Sequence, residues 1–154
     1  MKLYLVQHAK AASKDIDPDR PLTEEGRRDV QKVAAFIEVL NLEVDLLWHS
    51  GKARAAQTAE VLAGVVNVKT KMTTRDGLAP NDDVTVIKDE LLSGGDDVMI
   101  VGHLPFLTKL TSLLLADNES AGIVAFQNSG IVALERSTDN QWQINWMVTP
   151  ELLT

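Results

Sequence analysis

Short, almost unbroken apolar runs alternate along the chain with stretches whose apolar residues recur every three or four positions. Residues 2–7 (KLYLVQ) read as a buried first strand and residues 45–49 (DLLWH) as a second. Residues 97–102 (DVMIVG) form the clearest central strand, an apolar run bounded by Gly94-Gly95 and Gly102. Later strands are expected over residues 131–135 and 142–148, with Ser137-Thr138-Asp139-Asn140 as the hairpin turn between them.

The intervening stretches have helical periodicity. Thr23 is placed to cap a helix whose first turn holds Glu24 and Glu25, where acidic groups suit the helix dipole. Val30, Val33, Ala34, Ile37 and Leu40 then share one face, and Ala56, Ala59, Ala63 and Val66 do so in the next segment. Pro105 suits the first turn of a further helix, with Leu107, Leu110 and Leu114 on its apolar face. Residues 83–92 carry a weaker helical pattern, and residues 11–20 are polar, contain Pro18 and read as a surface loop. Strands alternating with helices imply an α/β fold, a mostly parallel central sheet covered on both faces. No repeat, low-complexity tract or linker interrupts the pattern, so one domain over residues 1–154 is the expectation.

Composition narrows the chemistry. The chain has 154 residues, 45% apolar and 24% charged, which suits an ordinary globular protein rather than a disordered one. The absence of cysteine excludes disulfides, a thiolate nucleophile and cysteine-ligated zinc, and is compatible with the cytoplasm. The apolar stretch before Gln7 is too short for a signal-peptide core, and later runs such as Leu113-Leu114-Leu115-Ala116 are too short to span a bilayer. A formal net charge of −7 argues against nucleic-acid and anionic-membrane partners. Any phosphate pocket must therefore be a local cluster of donors inside an acidic protein.

In open α/β sheets, ligands bind beyond the carboxyl ends of the strands, where helix N-termini begin. His8 follows the first strand, Ser50 the second with Arg54 just beyond, and His103 the central strand. Two imidazoles, a guanidinium and helix amides suit a phosphoryl group: one imidazole attacks phosphorus while the other donors hold the equatorial oxygens. A lone histidine is more often structural than catalytic, and an arginine within Lys52-Ala53-Arg54 is ordinarily a solvated helix residue. Two histidines could also hold a metal, but no His-x-His or His-x-x-x-His spacing supports that, and no metal or cofactor is expected.

Four segments carry a family resemblance: Leu5-Val6-Gln7-His8-Ala9-Lys10, Arg20-Pro21-Leu22-Thr23 with Gly26, Ser50 with Arg54-x-x-Gln57-Thr58, and Val101-Gly102-His103-Leu104-Pro105. With Asn128-Ser129-Gly130 before a later strand, they resemble the histidine phosphatase superfamily, specifically its small branch of SixA-type phosphohistidine phosphatases. The resemblance implies a three-layer α/β/α, phosphoglycerate mutase-like fold. It implies that His8 becomes phosphorylated and is then hydrolysed, that Arg54 clamps the phosphoryl oxygens, and that His103 donates to the phosphoryl group. Ser50 would lie near the pocket rim. Arg20, Thr23, Gly26, Gln57 and Thr58 are read as support, as caps and packing residues.

One position departs from the pattern. Family members usually carry arginine directly before the nucleophilic histidine, and this chain has Gln7. Glutamine can donate a hydrogen bond but brings neither charge nor a guanidinium fork. Lys10 is close enough in sequence to compensate in part. Asp76, Asp82 and Asp83 lie where larger relatives carry an acid, without an obvious match, and Asp83 reads by default as a helix cap. Imidazole leaves more easily than an alkoxide, so a phosphohistidine displayed on a partner protein would need less proton donation. The sequence thus leaves three readings: a protein phosphohistidine phosphatase, a phosphoprotein-binding pseudo-phosphatase marked by Gln7, and a phosphomonoesterase acting on a small phosphorylated substrate.

Overall fold

A computed structural model describes residues 1–153. The element order is β1 (Lys2–Gln7), α1 (Glu24–Glu38), β2 (Glu43–His49), α2 (Ala53–Ala63), β3 (Asn67–Thr74), α3 (Val84–Ser93), β4 (Val98–Gly102), α4 (Phe106–Ala116), β5 (Ile131–Arg136) and β6 (Trp142–Val148), followed by a 3-10 turn at Pro150–Leu152. The six strands form one sheet in the order β3-β2-β4-β1-β5-β6. Pairings β2–β3, β2–β4 and β1–β4 are parallel, whereas β5 runs antiparallel to both β1 and β6. The mostly parallel α/β sheet expected from the alternation is therefore what the chain forms.

Strand geometry divides the core in two, because successive side chains point to opposite faces. Tyr4 and Val6 of β1 and Met99 and Val101 of β4 pack with Val30, Val33 and Ile37 of α1 and Ala59 and Leu62 of α2. Leu3, Leu5, Val98 and Ile100 point the other way, onto Ile87 and Leu91 of α3 and Leu107 and Leu110 of α4. Helices thus cover both faces. In β2 a register shift between Val44 and Leu46 lets Val44 and Leu47 share one face despite their odd spacing. The amides of both Asp45 and Leu46 donate to the Asp97 carbonyl there, as expected for a bulge.

The structure also corrects several details. β2 starts at Glu43 and β4 at Val98, each displaced by about two residues or fewer from its expected start, the usual uncertainty of element ends. β3 was not expected at all: Asn67-Val68-Lys69-Thr70-Lys71-Met72-Thr73-Thr74 is an edge strand, mostly exposed, and its lysines hide the alternation while blunting the edge. Leu40 lies past the end of α1 and is exposed rather than part of the buried face. In α2 the buried positions are Ala55, Thr58, Ala59 and Leu62, so Ala56 and Ala63 sit at the margin. Thr58 shifts that face because its hydroxyl has two partners in the interior.

The caps follow the sequence reading. Thr23 accepts from the Gly26 amide at 3.0 Å, and Asp83 accepts from the Thr85 amide at 2.9 Å at the start of α3. Pro105 stands at the N-cap of α4. Residues 11–20 run as a loop, tied down by a bridge between Ala11 and Leu22.

Gly26 marks where α1 presses onto the chain just beyond β1. A Cβ there would lie 2.2 Å from the Lys10 carbonyl oxygen, a backbone atom unable to move aside. Gly26→Ala should therefore lower the unfolding free energy by about 1–3 kcal/mol in denaturant titration, by overpacking. An unchanged midpoint would show that this contact is not tight in solution.

Candidate active site

The sheet register assembles the site. Gln7 pairs with Gly102, and His49 pairs with Val101, so the next residues, His8, Ser50 and His103, emerge side by side at the carboxyl ends of β1, β2 and β4. The two imidazole rings lie 5.2 Å apart, centroid to centroid, tilted by 50°. Gly51, with φ +88, turns the chain sharply after β2, and α2 begins at Ala53, placing Arg54 in its first turn.

His8 is held by bonds from three directions. Its amide donates to the Gly102 carbonyl at 3.0 Å, and its carbonyl accepts from Asn128 Nδ2 at 2.9 Å. Its Nδ1 lies 2.7 Å from the Ala9 carbonyl oxygen. A carbonyl has no proton to give, so Nδ1 carries the hydrogen and Nε2 keeps its lone pair. That tautomer is the one a nucleophile needs.

Thr58 links this segment to Arg54. Its hydroxyl donates to the Arg54 carbonyl at 2.8 Å and accepts from the Ala9 amide at 2.9 Å. Gln57 Oε1 accepts from the Leu22 amide at 2.8 Å and so ties α2 to the chain entering α1. Both residues play the supporting part expected of them. His103, only 1% exposed, has its Nε2 at 2.6 Å from Ser50 Oγ, while its Nδ1 is buried without a partner. Arg54 Nε is likewise buried and unpartnered.

The electrostatics favour neutral imidazoles among cations. Burial lowers the His8 pKa, and Arg54 and Arg20 push it the same way against the opposing effect of the Ala9 carbonyl. His103 is driven down to about 3, first by burial and then by Arg54, His8, Lys52 and Arg20. Both rings are therefore uncharged at neutral pH in the free protein. Among the described residues, no group of three or more His, Asp or Glu side chains is arranged to hold a metal ion.

A match to the histidine phosphatase superfamily (branch 1) covers residues 3–80, a span that includes His8, Arg54, all of α2 and β1 from Leu3 onward. The chain belongs to the histidine phosphatase superfamily. It is 24% identical over 155 residues to the phosphohistidine phosphatase SixA of Escherichia coli strain K12, covering 97% of this chain and 94% of that one. A structure of the protein histidine phosphatase SixA complexed with tungstate superimposes with a TM-score of 0.86 at 24% identity, with full coverage of both chains. A phosphoserine phosphatase variant from Entamoeba histolytica in complex with phosphoserine gives a TM-score of 0.72 at 16% identity, covering 99% of each chain.

Within this superfamily member, the expected site residues do not all converge. His8, Ser50, Arg54 and His103 come together, and Gln7 sits directly before the site. Its side-chain Oε1 is buried without a partner. Lys10 does not stand in for a missing cation: its ammonium is 2.8 Å from Glu25 on the exposed flank of α1, and it lines a different cavity. Of the candidate acids, Asp82 accepts from the Ala79 amide at 2.8 Å and Asp83 is the α3 cap, so both carboxylates are committed to backbone amides. Asn128 was visible only as part of a motif. Its grip on the His8 carbonyl depends on a contact 120 residues away in sequence, for which the sequence carries no local signal.

The histidine shifts set the acid stability. Between pH about 3 and 6.5 the unfolded chain binds a proton at position 103 that the folded chain does not, so stability is lost as pH falls through that window. His103→Asn should flatten the fall in unfolding free energy between pH 6.5 and 4 by up to ~1.4 kcal/mol per pH unit. Equal slopes for the two proteins would show that His103 is not buried neutral.

Proposed function

We propose that this chain is a phosphatase that removes the phosphoryl group from phosphohistidine on a protein, through a phosphorylated His8. The observation that carries this reading is the bond between His8 Nδ1 and the Ala9 carbonyl, which leaves Nε2 free as nucleophile beside His103 and Arg54. In the first step Nε2 bonds to phosphorus as the bond to the departing imidazole breaks, and that imidazole takes up a proton from solvent, which the second step returns. In the second, water attacks phosphorus, phosphate leaves and His8 is regenerated. Arg54 holds the equatorial oxygens, where its planar fork suits a phosphoryl group.

A bound dianion would offset the cations that depress His103, raising its pKa and allowing it to donate to the phosphoryl group. A substrate with an easily displaced imidazole suits a site where Asp82 and Asp83 are committed to backbone amides. The similarity to the E. coli phosphohistidine phosphatase supports the same substrate class. A second reading, a phosphoprotein-binding pseudo-phosphatase, is favoured by Gln7 alone, since a charged donor at a phosphate site is worth about 1.5–3 kcal/mol.

Phosphate release from a phosphohistidine-containing protein and from para-nitrophenyl phosphate separates these readings. Wild type should hydrolyse the former faster. His8→Ala should abolish turnover and the acid-labile phosphoenzyme, His103→Ala should cost on the order of a hundred-fold or more, and Gln7→Arg should gain about ten- to a hundred-fold. Turnover surviving in His8→Ala would remove His8 as nucleophile. Turnover seen only in Gln7→Arg would establish the pseudo-phosphatase reading. Preference for para-nitrophenyl phosphate would point to small phosphomonoesters.

Because His8 attacks only when neutral, its lowered pKa also fixes a pH dependence. The acid limb of kcat/KM should lie below pH 6.5, the ordinary histidine value, with activity flat from there to neutrality. A limb at or above 6.5 would mean that burial does not depress this imidazole.

A further inference from the structure

The loop before α1 presents a charge that its supporting role does not explain. Arg20 is one of few non-glycine residues with a left-handed backbone, at φ 50. An L-residue other than glycine, asparagine or aspartate seldom holds that conformation unless its surroundings require it. Here they do: the Arg20 amide donates to the Asp17 carbonyl at 3.0 Å and the Ala12 amide to the Pro21 carbonyl at 2.8 Å. The side chain is fixed as well, since Nε donates to the Ala12 carbonyl at 3.0 Å. That bond uses one edge of the guanidinium and leaves the terminal amino groups for something else.

Arg20 and Arg54 line one cavity, which adjoins the histidines through Arg54 and Gly51 rather than being lined by them. It measures about 920 Å³ and is lined by Lys14, Arg20, Lys52 and Arg54, with Asp17 and Asp19 at the loop side. Among the described residues no carboxylate lies within ion-pair distance of Arg20 or Arg54. Two guanidiniums that share a cavity and make no ion pair repel each other, and an anion bound by both removes the conflict. The charge of Arg20 reaches the whole site, for it pushes the pKa of His8, Arg54 and His103 downward.

We propose that Arg20 binds the transferred phosphoryl group together with Arg54, supplying from the loop before α1 the charge that Gln7 does not bring. The proposal rests on the phosphate-handling reading of the site. It assigns a direct role to a residue that its place in the sequence marks only as support. A strained backbone and a pre-oriented guanidinium are features of a residue held for binding rather than for packing.

Tungstate binding by calorimetry tests this without requiring turnover. The set is wild type, Arg20→Gly, Arg20→Lys, Gln7→Arg and the double variant Gln7→Arg with Arg20→Gly. Glycine removes both the guanidinium and the backbone strain, so Arg20→Gly should unfold at the same or a higher temperature while binding tungstate about ten- to a hundred-fold more weakly. Arg20→Lys should recover only part of the affinity, because it lacks the fork. In the Gln7→Arg background the loss should shrink several-fold, since the two arginines serve one anion. Wild-type affinity in Arg20→Gly would overturn the proposal alone. So would equal losses in both backgrounds, or weakened binding accompanied by a lower unfolding temperature that Arg20→Lys fully repairs. Wild type failing to bind any tungstate would overturn the phosphate-site reading, and this proposal with it.

Discussion

The parallel pairing of β1 with β4 is the constraint on which the site depends. Ladder bonds from Leu3↔Val98 to Gln7↔Gly102 bring His8 and His103 out at the same level, and the Gln7 and His8 backbone is clasped on its other side by Ser129 and Gly130. A slip of two residues would keep the apolar faces correct yet separate the imidazoles by roughly 6–7 Å along the strand direction. The buried faces alone do not forbid that slip. The bulge in β2, the Ala9–Thr58–Arg54 link and the Asn128 contact hold the register that the chemistry requires.

Around that register the protein stores electrostatic tension. The chain is acidic overall, yet carboxylates are engaged away from the imidazoles: Glu25 with Lys10, Asp82 with the Ala79 amide, Asp83 with α3. Burial, and then the charges of Arg54, Lys52 and Arg20, keep His103 neutral down to about pH 3. Such an arrangement is unfavourable in the empty protein and favourable once an anion enters. Unpartnered Arg54 Nε and His103 Nδ1 belong to the same pattern, polar groups that folding alone does not satisfy.

Much of this was legible in the chain. β1 and β4, buried on both faces, advertise themselves as apolar runs, and α1 and α3 by their caps and periodicity. β3 was not legible, because an exposed edge strand needs no alternation and its lysines mimic a loop. The α2 face is not legible in the sequence because alanines on several sides look alike, and the residue that decides it, Thr58, is polar and is held in the interior by two hydrogen bonds.

The sequence by itself determined which chemical groups exist and roughly where along the fold they stand: His8, Ser50, Arg54 and His103 at strand ends and a helix start. Local periodicity and the family motifs carry that information because they depend on neighbours within a turn or a strand. Tertiary structure alone decided the tautomer of His8, the diversion of Lys10 to Glu25, the Asn128 clasp and the approach of Arg20 to Arg54. The last three depend on distances between separate segments, and the first on a backbone turn at Ala9 that Thr58 holds from α2; all are fixed only when the sheet register and the packing of the helices on it are complete.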